Sequence, residues 1–224
     1  MHRLSTMLCT SGLAAEAKIA RAAGFPVVIG AGDRERTAAL VESAVQGANC
    51  LMSFGIAGAL SPFLRAGDVV ISAEVVSDSN RWQADEWFQT HVADLACEIG
   101  AFQGAVFGAS AILASEADKS QAWRKTGALA VDLESDIVAH IASQAGIPFL
   151  VARTIADVAC RKLPPAALIP LSHAGTPNLC RVLGSLLRRP QQIGTLIRLA
   201  RETRMALLAL TGPAHALRGL VTAL

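Results

Sequence analysis

Short apolar runs rich in β-branched residues alternate along the chain with longer Ala-rich segments, the pattern of βα units laid on a parallel sheet. Strands are expected near residues 4–10, 25–29, 50–54, 68–76, 103–108, 129–132 and 147–155. Helices fill the gaps, near 13–23, 34–47, 85–98, 118–126, 134–145, 166–187 and 191–210. The strand at 68–76 follows 50–54 too closely for a helix between them, so the sheet should be mixed, though mainly parallel. No repeat, linker or low-complexity block breaks this order, and Pro164-Pro165 marks a turn before the last helical region rather than a domain boundary. The pattern predicts an α/β fold: one domain over residues 1–224, a three-layer sandwich with helices flanking the sheet, closed by a helical tail at about 164–224.

Composition sets the scale. With 224 residues, 52% of them apolar and 17% charged, the chain can bury about 70% of its unfolded surface without disulfides or a structural metal. Weakly polar stretches such as residues 101–115 are too short and interrupted to cross a bilayer, which takes about 20 residues. The apolar run at residues 4–8 superficially resembles an export signal, but it is short and Glu16 follows soon after, so a cytoplasmic protein is expected. Cys9, Cys50, Cys97, Cys160 and Cys180 form an odd set without a CxxC pair and read as buried, reduced thiols. The net charge of +2 conceals an asymmetry: residues 1–160 carry 11 basic and 17 acidic side chains, residues 161–224 carry 9 and 1.

Two glycine clusters introduce chemistry. Gly30-Ala31-Gly32 follows the strand at 25–29, and a glycine turn opening a helix can hold an anion on free N–H groups. A dinucleotide fingerprint would need a third glycine where the chain has Glu35, so an ordinary strand-to-helix turn is the better reading. The second cluster, Ser53-Phe54-Gly55-Ile56-Ala57-Gly58-Ala59-Leu60, ends a buried strand, where glycines either admit a ligand to the backbone or simply pack tightly. After it come Gly67-Asp68-Val69-Val70-Ile71-Ser72, then Val131-Asp132-Leu133-Glu134-Ser135, then Val151-Ala152-Arg153-Thr154-Ile155-Ala156-Asp157-Val158-Ala159. In this order the segments resemble the purine nucleoside phosphorylase and methylthioadenosine/S-adenosylhomocysteine nucleosidase superfamily, over residues 8–160. Within it, Ser11-Gly12-Leu13-Ala14-Ala15-Glu16, SFGIAGAL, Thr126-Gly127-Ala128 and a basic tail containing LPPAAL and RRPQQ are similar to the hopanoid-associated phosphorylases. The resemblance implies a nucleoside phosphorylase-like fold, cleavage of an adenine nucleoside such as adenosylhopane, a homo-oligomer, and no cofactor, with phosphate as co-substrate if the reaction is phosphorolytic.

Cleaving a purine N-glycoside passes through an oxocarbenium-like sugar, so a site needs an acid for the leaving purine, a group fixing the ribose hydroxyls and a nucleophile on the far face. Asp157 follows the strand at 147–155, at the strand end where open α/β sheets bind ligands. By resemblance it would donate to purine N7, which requires a pKa raised above about 3.9. Apolar Ile155, Ala156 and Val158 would raise it and a close Arg153 would lower it; a plain cap on the next segment is the alternative. Glu134 opens the helix at 134–145, where a carboxylate suits the dipole. The matching family residue accepts hydrogen bonds from the ribose diol, while Leu133 replaces a Met that packs under the sugar. Asp132 is not expected to act directly. Glu16 matches the glutamate that activates water in the nucleosidases; a solvated helix residue is the alternative. A carboxylate base suits water and would repel phosphate, for which Arg34, Arg36, Arg81 and Arg153 are candidate ligands. Gly55, Ile56, Ala57, Gly58 and Ile112 complete the expected substrate contacts. The chain departs from the family at Ile56 and Ala156, where serines are usual, and at Ala111-Ile112, where an aromatic stacks on the base. The five histidines show no metal-ligand spacing, so no metal site is expected.

The leading expectation is an enzyme releasing adenine from a nucleoside, possessing either water or phosphate as acceptor. A catalytically silent nucleoside-binding protein is the second, and an oxidoreductase is disfavoured by Glu35. Nucleic-acid binding would suit the basic tail, but aromatic interleaving is scarce and Tyr is absent. From Pro190, Ile193, Leu196, Ile197, Ala200, Leu207 and Leu208 recur at helical spacing beside Arg198, Arg201 and Arg204, with Arg188-Arg189 just before. Either this helix packs on the sheet with a solvated basic edge, or it rests on an anionic membrane surface and admits a lipid-tailed nucleoside.

Overall fold

A computed structural model describes residues 6–223; positions 4 and 5 of the first expected strand, and the ends of the expected 1–224 domain, lie outside the described residues. The chain runs β1 (Met7–Ser11), α1 (Ala14–Ala22), β2 (Val27–Ile29), α2 (Arg34–Ala44), β3 (Cys50–Ala59), β4 (Val69–Ser72), β5 (Glu74–Val76), β6 (Arg81–Gln83), α3 (Glu86–Glu98), β7 (Phe102–Gln103), β8 (Val106–Gly108), α4 (Glu116–Thr126), β9 (Ala130–Asp132), α5 (Ser135–Ala145), β10 (Phe149–Asp157), α6 (Leu179–Arg188), α7 (Ile193–Ala209) and α8 (Thr211–Ala223). Asp33, Asp85 and Ser115 cap α2, α3 and α4 by accepting from backbone N–H groups three residues on. Gly127 and Gly146 end α4 and α5 in the left-handed conformation, at φ of 70° and 66°.

One mixed, mainly parallel sheet organises the fold, in the order β6-β5-β8-β9-β3-β10-β4-β7, with β1 and β2 branching from β3. The ten-residue β3 makes this possible. Its first half pairs in parallel with β1, its end pairs antiparallel with β9, and β10 lies along most of its other edge. Such a sheet is curled rather than flat. Side chains alternate between two cores. Met52, Phe54, Leu150 and Ala152 join Phe88, Leu210 and Leu217 on one face, while Leu51, Val151 and Ile155 join Val41, Val138 and Ile141 on the other. Three layers result, as the pattern predicted.

Several expected elements differ. The expected strand at 68–76 is interrupted at Ala73 into β4 and β5, while β3 continues past 54 to Ala59. Two short strands, β6 and β7, carry too few residues to show a period. No helix spans 166–187: a single turn at Pro165–Leu168 gives way to irregular chain before α6. Pro170 and Pro177 explain this, since each lacks an amide donor and clashes with the preceding turn. Conversely, Pro213 lies in the first turn of α8, where proline is tolerated, so the helix the sequence reading stopped at 210 is followed directly by another. Ala206, Leu210, Ala214 and Leu217 are buried, which makes the end of the tail part of the main core. Cys9 and Cys50 are buried as expected, but Cys97, Cys160 and Cys180 are exposed on α3, the turn after β10 and α6. Among the described residues no helix is long and apolar enough to cross a membrane.

Candidate active site

At the C-terminal ends of β3, β9 and β10 a cavity of about 290 Å³ opens, lined by Glu16, Ile56, Ala57, Gly58, Ile112, Leu133, Glu134, Arg153 and Asp157 among others. Nine of the ten expected site residues thus meet in one place. Gly55 is the exception: it sits behind the wall, where a Cβ would lie 2.5 Å from Glu16 Oε1 and 2.8 Å from Arg153 Nη1. Its contribution is space for those two side chains rather than contact with a ligand. Gly12 does the same between Glu134 and Glu16, with a notional Cβ 2.8 Å from Glu134 Oε1.

Arg153, buried on β10, is the hub. Its Nη2 donates to Ser53 Oγ at 2.5 Å and to Glu134 Oε2 at 3.3 Å, and its Nε pairs with Asp132 Oδ2 at 2.7 Å. Glu16 reaches the cavity from α1 and is held by backbone donors, Ile56 N at 2.8 Å to one oxygen and Leu13 N at 2.7 Å to the other. Burial pushes its carboxyl above the usual range, although Arg153 and these donors pull the other way. Glu134 is the cap position of α5, one residue before the helix rather than inside it. Burial pushes its carboxyl up to about 7; Arg153 opposes this, and Asp132 and Glu16 add to it. Asp132 accepts from Glu134 N at 3.1 Å, from Ser135 N at 2.8 Å and from the Ser135 hydroxyl, so it positions the start of α5.

Asp157 is the last residue of β10, where the register against β3 shifts and sets it opposite Gly58. Bulges of this kind re-aim a side chain. Its Oδ2 pairs with Lys119 Nζ, whereas its Oδ1 is buried without a hydrogen-bond partner. Burial raises its carboxyl above the ordinary value, against the lowering effect of Lys119. Lys119 is the functional-site residue that the sequence reading missed. It is buried near the start of α4, donating also to Val158 O at 3.0 Å and Arg161 O at 2.9 Å. The available signal was a lysine within the N-terminal turns of a helix, where the dipole disfavours a cation. Glu202 on α7 pairs with Arg161, and Leu199 and Thr203 line the cavity beside Leu163, Ala167 and Leu171. The tail therefore walls the site with mostly apolar side chains.

The remaining candidates lie away from the cavity or are already occupied, apart from Gly32, which lines it. Arg34 forms a two-pronged pair with Asp136, at 3.0 and 2.6 Å, and donates to Ala109 O and Leu133 O. Arg36 donates to Ile29 O, and Arg81 pairs with Glu74 on the far strand pair. Gly30-Ala31-Gly32 is a strand-to-helix turn closed by Asp33 N to Gly30 O at 3.2 Å, and Asp33 uses its carboxylate on Arg36 N. His140 stacks edge-on against Trp82, away from the cavity.

A family model described as the Phosphorylase superfamily matches residues 29–168. Among solved structures, the chain is similar to 5'-methylthioadenosine/S-adenosylhomocysteine nucleosidase of Neisseria meningitidis in complex with methylthio-immucillin-A, with a TM-score of 0.70, 16% identity, and coverage of 99% of this chain and 100% of that one. The corresponding nucleosidase of Campylobacter jejuni superposes with a TM-score of 0.69 at 12% identity, covering 98% and 100%. Futalosine hydrolase of Helicobacter pylori gives 0.61 at 16% identity, covering 84% and 99%. At these identities the likeness is one of fold.

Proposed function

The chain belongs to the phosphorylase superfamily, and from that premise we propose that it hydrolyses the N-glycosidic bond of an adenine nucleoside carrying an apolar 5′ substituent. The observation that carries the reading is the convergence of Glu16, Glu134 and Asp157 on one cavity, with Asp157 Oδ1 buried and unpartnered. Lys119 occupies Oδ2 as donor, so the acid proton of Asp157 belongs on Oδ1 and passes to purine N7. The bond from C1′ to N9 breaks with its electron pair going to the purine. Glu134 accepts hydrogen bonds from the ribose hydroxyls, with Leu133 beneath the sugar and Ile56, Ala57, Gly58 and Ile112 around the substrate. Glu16 takes a proton from water as the water oxygen bonds to C1′. Its two oxygens already accept backbone N–H groups, which fixes the base in place.

Water rather than phosphate is supported by the occupied arginines. Arg34 is committed to Asp136, and Arg153 is shared among Ser53, Asp132 and Glu134, while Glu16 and Glu134 would repel a phosphate. The apolar 5′ preference is supported by Leu163, Ala167, Leu171 and Leu199 along the wall, and adenosylhopane, implied by the resemblance to the hopanoid-associated phosphorylases, has such a group. The test is to incubate pure protein with adenosine, 5′-methylthioadenosine and 5′-alkylated adenosines, with and without phosphate, and to quantify adenine and the sugar product. Adenine with a free reducing sugar, independent of phosphate, is expected. A sugar 1-phosphate would make it a phosphorylase, and no adenine from any substrate would leave a silent binder.

A further inference from the structure

Outside the active site, α6 leaves much of its apolar arc exposed. Its sequence, LCRVLGSLLR, places Leu179, Val182, Leu183, Leu186 and Leu187 on one arc and Arg181, Ser185 and Arg188 on the opposite one. An amphipathic helix ordinarily buries its apolar arc. Here Leu179 is 70% exposed, Leu183 60% and Leu187 86%. Within the polar arc Ser185 meets the body, where the buried Gln192 donates to Ser185 O and Ser185 Oγ, at 2.9 and 3.0 Å, and accepts from Ala166 N at 3.1 Å, while Arg181 and Arg188 are exposed. The helix is thus held at Ser185 by specific bonds. Beside it, between the Pro165–Leu168 turn and α6, lies a second cavity of about 700 Å³ whose walls include Arg181, Arg188 and Arg189. Ile193 and Ile197, also exposed at the start of α7, extend the apolar surface, flanked by Arg198 and Arg201.

We infer that α6 and the first turns of α7 are a docking surface for an anionic lipid bilayer. The leucines enter the acyl boundary, and the arginine-walled cavity takes lipid phosphate groups. Charge decides the occupant. Residues 158–201 contain no Asp or Glu, so the face is cationic and apolar throughout. A second copy of this chain would meet it, in a two-fold interface, with the same arginines and no carboxylate. The leucines also protrude from a convex helix rather than lining a groove, which fits insertion into a lipid interface better than capture of a peptide helix. The sequence expectation placed this contact on the helix beyond Pro190; the inner side of α7 instead lines the active-site cavity and packs into the core, and α6 supplies the face. The inference stands independently of the proposed chemistry.

The test is co-sedimentation of the full chain with vesicles of phosphatidylcholine alone, and with phosphatidylcholine and phosphatidylglycerol at roughly three to one, as salt is raised. Binding to the anionic vesicles that weakens with salt is expected. Leu183→Glu and Leu187→Glu, both at exposed positions, should each reduce it at least about ten-fold. Arg188→Gln with Arg189→Gln should reduce it about 25-fold, each cation near the surface being worth roughly five-fold. Unchanged melting temperatures would show that these variants fold. Absence of binding at low salt, or binding indifferent to the leucine variants, would overturn the inference. So would light scattering in which wild type is an oligomer and Leu187→Glu a monomer, because a second copy would then cover the face.

Discussion

Replacing Lys119 by Met tests how the site holds its acid. The substitution keeps a long, unbranched side chain within α4 but removes the ammonium that pairs with Asp157 Oδ2 and donates to Val158 O and Arg161 O. Both members of the pair are buried, so breaking it with Asp157 ionised should cost about 3–5 kcal/mol. Asp157 escapes much of that penalty by protonating. Its carboxyl already lies above the ordinary value because of burial, with Lys119 as the opposing influence, and losing that neighbouring opposite charge should raise it further. A carboxyl raised in the folded state stabilises at pH below its unfolded value and loses that contribution as pH climbs through the folded one. The variant should therefore melt close to wild type in acid and fall behind as pH rises, by about 6–20 °C at mildly alkaline pH. In the pH–rate profile, the limb on which activity declines as Asp157 ionises should move to higher pH in the same direction. A limb that stays put or moves down would show that Lys119 does not control the acid.

Asp157→Asn should lower kcat by about 100-fold to 10,000-fold while leaving substrate affinity largely intact, read by steady-state kinetics and by binding of a non-cleavable analogue. Turnover within a few-fold of wild type would remove Asp157 from the mechanism. Glu134→Gln should damage cleavage of ribonucleosides far more than of 2′-deoxyribonucleosides, because a charge-assisted hydrogen bond is roughly twice as strong as a neutral one. Equal losses would assign Glu134 a structural role beside Arg153. Gly55→Ala places a methyl group 2.5 Å from the Glu16 carboxylate, so it should destabilise by about 1–3 kcal/mol in denaturant titration and displace the base; a stable, fully active variant would contradict the packing described.

The buried strands and the helices between them were legible because apolar runs and Ala-rich segments alternate over most of the chain, and β3 and β10 came out as central strands. What escaped detection depended on tertiary partners. β6 and β7 exist through pairing with β5 and β4, not through any period of their own. The helix expected at 166–187 ran across Pro170 and Pro177, and these prolines break it. In the site, Glu16, Glu134 and Asp157 were identified through the resemblance and through strand and helix ends. Lys119 was not, because nothing local links a residue on α4 to one 38 positions later. Arg34 illustrates the reverse: as one of four arginines it was a candidate phosphate ligand, and Asp136, 102 residues away, claims it.

The site's proton chemistry follows from a mismatch of charge. Glu16, Asp132, Glu134 and Asp157 are all buried, and Arg153 and Lys119 are the buried cations facing them. Four carboxylates cannot all remain ionised beside two cations away from water, so protons are retained where the donors are fewest. Asp132 has the most donors: Arg153, two backbone N–H groups and the Ser135 hydroxyl. Glu16 has two backbone donors. Glu134 has Arg153 at 3.3 Å, and it is the carboxyl pushed up to about 7. Raised carboxyls stabilise the fold below their unfolded values, and Glu134 loses that contribution as pH rises through about 7. A ribose diol supplies the missing donors: two hydroxyls on the Glu134 carboxylate favour its charged form, so binding should release a proton near neutrality and be weaker in acid. Calorimetry of a non-cleavable ribonucleoside analogue in buffers of different ionisation enthalpy reads that proton directly. Proton release should be present for the ribose analogue and smaller for its 2′-deoxy counterpart; identical enthalpies in all buffers would mean that Glu134 is already ionised before the sugar arrives.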